Sequence, residues 1–199
     1  MKIIGILGGV ACGKSLVAKQ FADLGAGILD ADQAGHEVLR QPEVERAARG
    51  RWGDAIFDAN GRIERAALAK IVFGANPEAA RELKYLEELT HPQIAMRLRR
   101  QAGKFAAEKR AAAILDAPVM LKANWNAFCD HILFVDAPWE VRVARARTRG
   151  WTAEDVRRRE AAQEAIEEKR RWADLVIDNA GPPEHTRMQI ERIWQTLID

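Results

Sequence analysis

Residues 8–15 read GGVACGKS and directly follow the apolar run IIGIL at residues 3–7. The stretch satisfies the pattern G-x-x-x-x-G-K-S, with a predicted strand before it and an amphipathic helical pattern at residues 14–24 after it. Glycines let the backbone wrap closely around phosphate oxygens, and the N–H groups that open the following helix point at the anion. Because a chance glycine-rich turn would not have these flanks, the stretch predicts a phosphate-binding loop.

The loop residues have separate expected roles toward a nucleotide. Lys14 is expected to reach the β- and γ-phosphates of ATP, and the Ser15 hydroxyl is expected to hold the Mg²⁺ that accompanies it. Cys12 is expected to be a tolerated small side chain rather than a redox group. We predict that ATP is bound by residues of this stretch and by the residue that follows it: Gly8, Gly9, Ala11, Cys12, Gly13, Lys14, Ser15 and Leu16.

Five short apolar runs of buried-strand length alternate with helical patterns along the chain, which predicts an α/β fold with a five-stranded parallel sheet flanked by helices. The predicted strands are residues 2–7, 26–30, 111–116, 131–136 and 174–178. Four of them end in aspartate, and ligands of open α/β sheets gather at the carboxyl ends of strands. We therefore expect several of these carboxylates to face one crevice: Asp30, Asp116, Asp136 and Asp178.

The 199 residues fit one domain, and the gap between the second and third predicted strands is too long for a simple crossover. It predicts a helical insertion at about residues 32–109, with turns at NGR (60–62) and ANP (75–77). The remaining predicted parts are a core at about 1–31, 110–141 and 172–199, and a lid at about 142–171.

Composition and charge exclude some classes of partner and indicate a cellular compartment. The formal net charge of +2 argues against a nucleic-acid coat, and Cys12 and Cys129 provide neither a disulfide framework nor a metal site. No run of eighteen apolar residues occurs, and the N-terminal apolar segment lacks a small-residue cleavage site. We therefore expect a cytoplasmic protein without membrane or nucleic-acid partners.

Nucleotide binding leaves three function classes open: a GTP-driven switch, a motor-type ATPase and a small-molecule kinase. The chain has no N-K-x-D guanine signature, and a motor ATPase normally needs a longer chain. A kinase needs a site for its acceptor and a movable cover for ATP. The inserted segment and a late arginine cluster fit these two needs, so a kinase is favoured.

The arginine cluster has two readings. Ten of the 31 Lys and Arg residues lie between Arg142 and Arg171, in a stretch also rich in Glu, which is typical of a solvated helical face with ion pairs. The second reading is a mobile cationic lid. Arg142, Arg145 and Arg149 are predicted on one face of a helix opened by Pro138, and a positioned arginine stabilises the charge of a transferred phosphoryl group. We expect Arg145 and Arg149 to be catalytic.

A kinase also needs a carboxylate that accepts the proton of the acceptor hydroxyl. Asp30 and Asp32 follow the second predicted strand, and either one could instead cap the next helix. Asp32 is the better catalytic candidate because it lies past the strand end.

Several segments together resemble dephospho-CoA kinase, in order and over nearly the whole chain. They are the phosphate-binding loop, DADQAGHEVL (30–39), FDANGRIERAALAKIVFGANPE (57–78), ELTHP (88–92) and ADLVIDNAG (173–181). The resemblance implies a P-loop kinase fold and ATP-dependent phosphorylation of the ribose 3′-hydroxyl of dephospho-CoA, the last step of coenzyme A synthesis. Four positions depart from the family pattern: Leu16, Lys122, Arg142 and Gly150.

The same resemblance assigns roles to further residues. It implies that Asp32 is the catalytic carboxylate, that the helical insertion holds the acceptor, and that Asn179 and Gly181 lie near the adenine of ATP. His91 either lines the acceptor site or packs the turn before Pro92. The expected partners are ATP with Mg²⁺ and dephospho-CoA, and the expected state is a monomer or weak homo-oligomer. The alternatives are a P-loop kinase for another small hydroxyl acceptor, such as a nucleoside or nucleotide, and a non-enzymatic nucleotide sensor.

Overall fold

A parallel β-sheet lies at the centre of the computed structural model, which describes residues 1–74 and 77–198. Within these residues the sheet has five strands in the order β2-β3-β1-β4-β5, and every neighbouring pair is parallel. The predicted strands are confirmed to within one residue at each end. Their bounds are β1 Lys2–Gly8, β2 Gly27–Asp30, β3 Ala112–Asp116, β4 His131–Asp136 and β5 Leu175–Asp178.

α-Helices lie between the strands, except that β3 and β4 are separated by a short 3-10 helix at Trp125–Phe128, and the predicted α/β class is confirmed. Their bounds are α1 Lys14–Asp23, α2 Ala31–Val38, α3 Pro42–Trp52, α4 Arg65–Val72, α5 Ala79–Ala107, α6 Trp139–Arg147, α7 Ala153–Ala161, α8 Ile166–Arg171 and α9 Pro183–Ile198. The chain divides into two compact units. We call residues 1–30 with 101–199 the sheet unit, and residues 31–100 the helical unit. The predicted functional division into core, insertion and lid stays a prediction.

The core of the sheet unit is formed by apolar strand residues and by the apolar sides of α1 and α9. Ile4, Ile6 and Leu133 are fully buried in it, because the strands are continuous apolar runs. The ring centroids of Phe21 on α1 and Trp194 on α9 are 6.3 Å apart. The last helix presents an apolar face to this core, since Ile190, Ile193, Trp194 and Leu197 all belong to this cluster or pack against it.

The strand-end aspartates lie at one edge of the sheet, as the parallel arrangement requires. Asp30 is the register partner of Asp116, and Asp136 is the register partner of Asp178. The guanidinium of Arg170 donates to Asp136 at 2.5 Å. This edge is where open α/β sheets bind their ligands.

The helical unit has a small apolar core of its own, in which Ile56, Leu68 and Val72 are buried. The predicted turn at residues 60–62 is confirmed, because the Asp58 carboxylate accepts hydrogen bonds from the backbone N–H groups of residues 60 and 62, at 2.9 Å each. In the predicted ANP turn, residues 75 and 76 lie outside the described part of the chain.

The expectation of a turn before Pro92 is wrong, because Pro92 lies inside the 29-residue helix α5. Proline lacks the N–H that would donate to the carbonyl one turn earlier, so its presence favours a break. The helix nevertheless continues on both sides, and the Thr90 hydroxyl donates to the Leu86 carbonyl at 2.7 Å. His91 is therefore a half-buried helical residue.

Glu82 on α5 joins two helices of the helical unit. Its side chain accepts two hydrogen bonds from Arg51, at 2.7 and 2.8 Å, and one from the Trp52 indole N–H at 2.9 Å. The hydrogen bonds from Arg51 are the main cause that lowers the pKa of Glu82 from 4.5 to about 2, and those from Trp52 and Arg81 lower it further. The charged carboxylate thus stabilises the fold.

Glu82→Gln is expected to lower the thermal midpoint of the full chain at neutral pH. A lowered folded-state pKa contributes stability above the unfolded pKa, and that stability is lost as pH falls through the folded one. The gap in midpoint between wild type and variant should therefore shrink as pH falls from 4.5 to about 2. Circular dichroism melts at several pH values measure the gap, with Glu88→Gln as an exposed control on the same helix. A gap that does not change with pH would contradict the assignment.

Candidate active site

The elements predicted on either side of residues 8–15 are present, since β1 ends at Gly8 and α1 begins at Lys14. A Cβ at Gly8 would lie 2.7 Å from the carbonyl oxygen of Val135, and a Cβ at Gly13 would lie 2.1 Å from Nδ2 of Asn179. Gly13 also has a φ of +101°, which side-chain-bearing residues rarely adopt. Glycine at both positions therefore allows the tight wrapping that the motif predicts.

Helix α1 begins where the loop ends. The first helical donors, Leu16 and Val17, both donate to the carbonyl of Gly13, at 3.0 and 3.1 Å. The N–H groups before them belong to the opening turn, where amides lack helical partners and favour an anion. Lys14 and Ser15 occupy this turn, and the Ser15 side chain is exposed. The arrangement suits phosphate binding.

Two side chains from other elements hold the loop in place by binding the carbonyl of Cys12. The Asn179 amide donates to it at 2.7 Å, and Arg145 donates to it at 3.2 Å. Arg145 also donates to the carbonyl of Asn179 at 2.8 Å, while the Thr186 hydroxyl donates to the Asn179 side-chain oxygen at 2.7 Å. Asn179 is fully buried, so its side chain supports the loop from behind.

The remaining residues predicted near the nucleotide have these environments. Cys12 is buried, and burial raises the pKa of its thiol, which keeps it protonated. Ala11 has a positive φ of 59°. Gly181 is half-buried, and a Cβ there would lie 3.5 Å from Nδ1 of His185.

Arg142 is a structural residue rather than an exposed lid arginine. It is only 6% exposed, forms an ion pair with Glu160 of α7, and donates to the carbonyl of Ala137 at 3.2 Å. Glu160 in turn accepts from the N–H of Val10 at 3.1 Å. A Cβ at Gly9 would lie 2.8 Å from this guanidinium. The ion pair therefore packs directly on the phosphate-binding loop.

The prediction that Arg142, Arg145 and Arg149 share one helical face is wrong, because α6 ends at Arg147. Gly150 follows with a φ of +75°, in the left-handed region that ends a helix. Arg149 is exposed, and its guanidinium carbon lies 6.0 Å from the ring centroid of Trp151. The structure thus brings Arg145 to the loop, while Arg149 lies outside the helix.

Lys169 of α8 is a buried lysine near the loop that sequence reasoning missed. It is only 3% exposed and lines a small cleft together with Gly8, Lys14, Pro118 and Gln163. In the sequence it stands among many charged residues, and neither spacing nor composition separates a buried lysine from solvated ones. Glu160 was missed for the same reason.

The two residues predicted to contact the acceptor, Asp32 and His91, lie in the helical unit. Asp32 is an exposed residue in the first turn of α2, two residues after β2, and His91 lies within α5. Asp30, the alternative carboxylate, is the last residue of β2 in the sheet unit. Asp32 thus follows the carboxyl end of a strand, as predicted.

The described residues contain no group of three or more His, Cys, Asp or Glu side chains that could hold a metal ion. Mg²⁺ commonly keeps several waters and binds through few protein oxygens plus substrate phosphates. An exposed serine hydroxyl beside a phosphate-binding turn fits that mode. In the part of the chain that is described, none of the helices is both long enough and apolar enough to span a membrane.

Comparisons with known proteins place the chain in one family. A family model described as dephospho-CoA kinase matches residues 2–184. A dephospho-CoA kinase of Aquifex aeolicus is 37% identical over 199 residues, which cover 99% of this chain and 98% of that protein. A solved structure from Thermus thermophilus has 32% identity and a TM-score of 0.80, and covers 100% of this chain and 98% of that one.

A more distant solved structure shows the fold. The dephospho-CoA kinase of Campylobacter jejuni has 24% identity and a TM-score of 0.66, and covers 99% of this chain and 97% of that chain. The predicted P-loop kinase fold is confirmed.

Proposed function

The chain belongs to the dephospho-CoA kinase family, and we propose from this premise how its residues phosphorylate the ribose 3′-hydroxyl of dephospho-CoA with ATP. The products are coenzyme A and ADP, and the reaction is the last step of coenzyme A synthesis. The observation that carries the proposal is the loop of residues 8–15. It leads into the N-terminus of α1, where free backbone N–H groups can bind phosphate. The other expected acceptors, nucleosides and nucleotides, are the alternatives that an experiment must exclude.

The phosphate-binding loop is proposed to hold ATP. The Lys14 ammonium neutralises charge on the β- and γ-phosphates, and the amides at the start of α1 donate to phosphate oxygens. Mg²⁺, which neutralises the charge that develops on the β- and γ-oxygens, would be held by the Ser15 hydroxyl. We propose that Asn179 and Gly181, which follow β5, lie on the adenine side. Asn179 contributes by fixing the loop rather than by offering its buried amide to the base.

Asp32 is proposed to accept the proton of the acceptor hydroxyl. As the 3′-oxygen forms its bond to the γ-phosphorus, the bond between that phosphorus and the bridging oxygen breaks, and ADP takes its electron pair. The proton released from the hydroxyl goes to the Asp32 carboxylate. Support comes from the position of Asp32 just past the carboxyl end of β2. The helical unit, with His91, is proposed to bind the acceptor.

Arg145 and Arg149 are proposed to act at different steps. Arg145 is bound to the carbonyls of Cys12 and Asn179, so it shapes the loop that receives ATP. Arg149 is exposed and followed by a glycine with positive φ, which suits an arginine that reaches the transferred phosphoryl group when the lid closes.

Alanine variants of these two arginines should therefore differ in steady-state kinetics. Arg145→Ala is expected to raise the KM for ATP and to lower kcat, because the loop loses one hydrogen bond at Cys12 and the supporting residue Asn179 loses another. Arg149→Ala is expected to lower kcat by about 10- to 10³-fold with little change in KM, because its contact forms in the transition state. Arg147→Ala, an exposed change at the end of α6, is the matched control. If Arg149→Ala matches this control, the segment is a solvated ion-pair face instead.

An ADP-release assay with several acceptors tests the proposed function. The panel contains dephospho-CoA, nucleosides, nucleotides and shikimate-like alcohols, with each acceptor omitted in turn. Turnover that requires dephospho-CoA supports the proposal. Turnover with another alcohol would indicate a different acceptor, and ATP binding without turnover would indicate a nucleotide sensor.

We further propose that the protein works in the cytoplasm as a monomer or weak homo-oligomer, without nucleic-acid or membrane partners. The nearly balanced net charge of +2 supports the part of this proposal that concerns nucleic acid.

A further inference from the structure

A small cleft lies beside the phosphate-binding loop, at the carboxyl ends of β1 and β3. Its walls include Gly8 at the end of β1, Ala117 and Pro118 after β3, and the side chains of Lys14 and Lys169. Lys14 comes from α1 and Lys169 from α8. Two ammonium groups from distant parts of the chain thus share one cleft.

Lys169 lacks an anionic partner for its charge. It is 3% exposed, and within residues 1–74 and 77–198 its ammonium donates to the neutral side-chain oxygen of Gln163, at 2.7 Å, and forms no ion pair. The residues that line the cleft include no Asp or Glu among those described. A buried cation is costly unless an anion pairs with it. The ammonium of Lys169 also faces a second cleft lined by Glu160, Glu164 and Glu167, but it forms no ion pair with them in the described residues, so its charge favours an anion beside it.

Burial and the nearby Lys14 lower the pKa of Lys169. The charged groups that act on Lys169 are Lys14, Glu160 and Glu164, and the carboxylates offset only part of this lowering. A bound phosphate would raise the pKa again, because its negative charge favours the charged ammonium.

The segment that carries Lys169 is tied to the loop through the end of α7. Glu160 at the end of α7 accepts from the N–H of Val10 and pairs with Arg142. Gln163 follows two residues after α7, and Lys169 lies one turn into α8. Gln163, which accepts from the Lys169 ammonium, thus follows a helix end that is itself bound to the loop.

We propose that Lys169 is a further catalytic residue, which binds the terminal phosphoryl group of ATP opposite Lys14. This inference rests on the proposed function for the direction of the nucleotide. The proposed adenine residues follow β5, whereas the cleft lies on the β3 side of β1. A triphosphate that runs across the loop from the β5 side places its terminal phosphate next to Lys169. There the ammonium stabilises the charge on the transferred group.

Comparison of triphosphate and diphosphate binding by Lys169→Met tests the inference. Methionine fills similar space without charge, and Lys19→Met on the exposed side of α1 is the control. We expect the affinity for the non-hydrolysable analogue adenosine 5′-(β,γ-imido)triphosphate with Mg²⁺ to fall by about 10-fold or more, because a charged hydrogen bond is lost. The affinity for ADP should change by less than about 2-fold. Lys169→Arg should retain most of the triphosphate affinity.

Isothermal titration without any acceptor gives both affinities, so the result does not depend on which alcohol is phosphorylated. Because the two ligands are compared in the same variant, a partly unfolded fraction cancels from their ratio. A parallel loss of both affinities, or no loss of either, would overturn the role of Lys169. If the wild type binds the triphosphate normally but transfers to no tested acceptor, the proposed function fails while this comparison still stands.

Discussion

Lys14→Ala is expected to reduce phosphoryl transfer at least about 10³-fold and to weaken the binding of MgATP. The lysine sits in the opening turn of α1, beside amides that favour an anion. Its ammonium neutralises charge on the β- and γ-phosphates both in the ground state and as the bond breaks. We therefore expect kcat to fall and the KM for ATP to rise. The remaining cation of the cleft, Lys169, comes from another helix and cannot replace it.

The fold of Lys14→Ala should survive, because the side chain is half-buried at the site rather than in the apolar core. Thermal unfolding checks this, and single-turnover transfer checks the activity. Lys19→Ala removes an exposed lysine from the same helix and should behave as wild type. A folded Lys14→Ala protein with normal turnover would rule out residues 8–15 as the catalytic phosphate site.

Asp32→Asn is expected to reduce transfer to dephospho-CoA at least about a hundredfold while MgATP affinity stays close to wild type. Asparagine has nearly the same shape but cannot accept the proton of the 3′-hydroxyl. ATP should still bind, because Lys14, Ser15 and the amides of the loop hold its phosphates. The variant therefore separates proton acceptance from nucleotide binding.

The matched control is Asp30→Asn, which changes the last residue of β2 and lies opposite Asp116 in the sheet. It should lower transfer less than Asp32→Asn. Thermal unfolding compares its stability with that of the wild type. Isothermal titration with ATP and single-turnover transfer are measured on both proteins. If Asp32→Asn transfers at the wild-type rate while Asp30→Asn or Asp116→Asn does not, the base belongs to another strand end.

The sheet and the loop could be predicted from the sequence because their signals are local. Each strand is an apolar run of four to seven residues, and the glycines of the loop are required by close contacts that a Cβ would violate. The resemblance to dephospho-CoA kinase is confirmed by the family to which the chain belongs. Asp32 could be proposed because it follows a strand end in the sequence.

The arginine and lysine positions could not be predicted in the same way. Whether Arg142 is buried depends on Glu160, a residue 18 positions away on another helix. Lys169 reaches the loop only because α7 and α8 fold back on it, and a charged run shows no period that marks this burial. The prediction of a turn before Pro92 was wrong because proline disfavours a helix locally, whereas α5 continues through it. Tertiary contacts decide the burial of Arg142 and Lys169.

The position of the transferred phosphate is the most direct test of the central claim that this chain phosphorylates the 3′-hydroxyl of dephospho-CoA. Purified wild type is incubated with MgATP and dephospho-CoA, and two-dimensional proton–phosphorus NMR locates the new phosphate. We predict a new phosphomonoester coupled to the proton on ribose carbon 3′, formed in the same amount as ADP and absent when Lys14→Ala replaces the wild type. ATP consumption without this phosphomonoester, or a phosphate on a different hydroxyl, would contradict the claim.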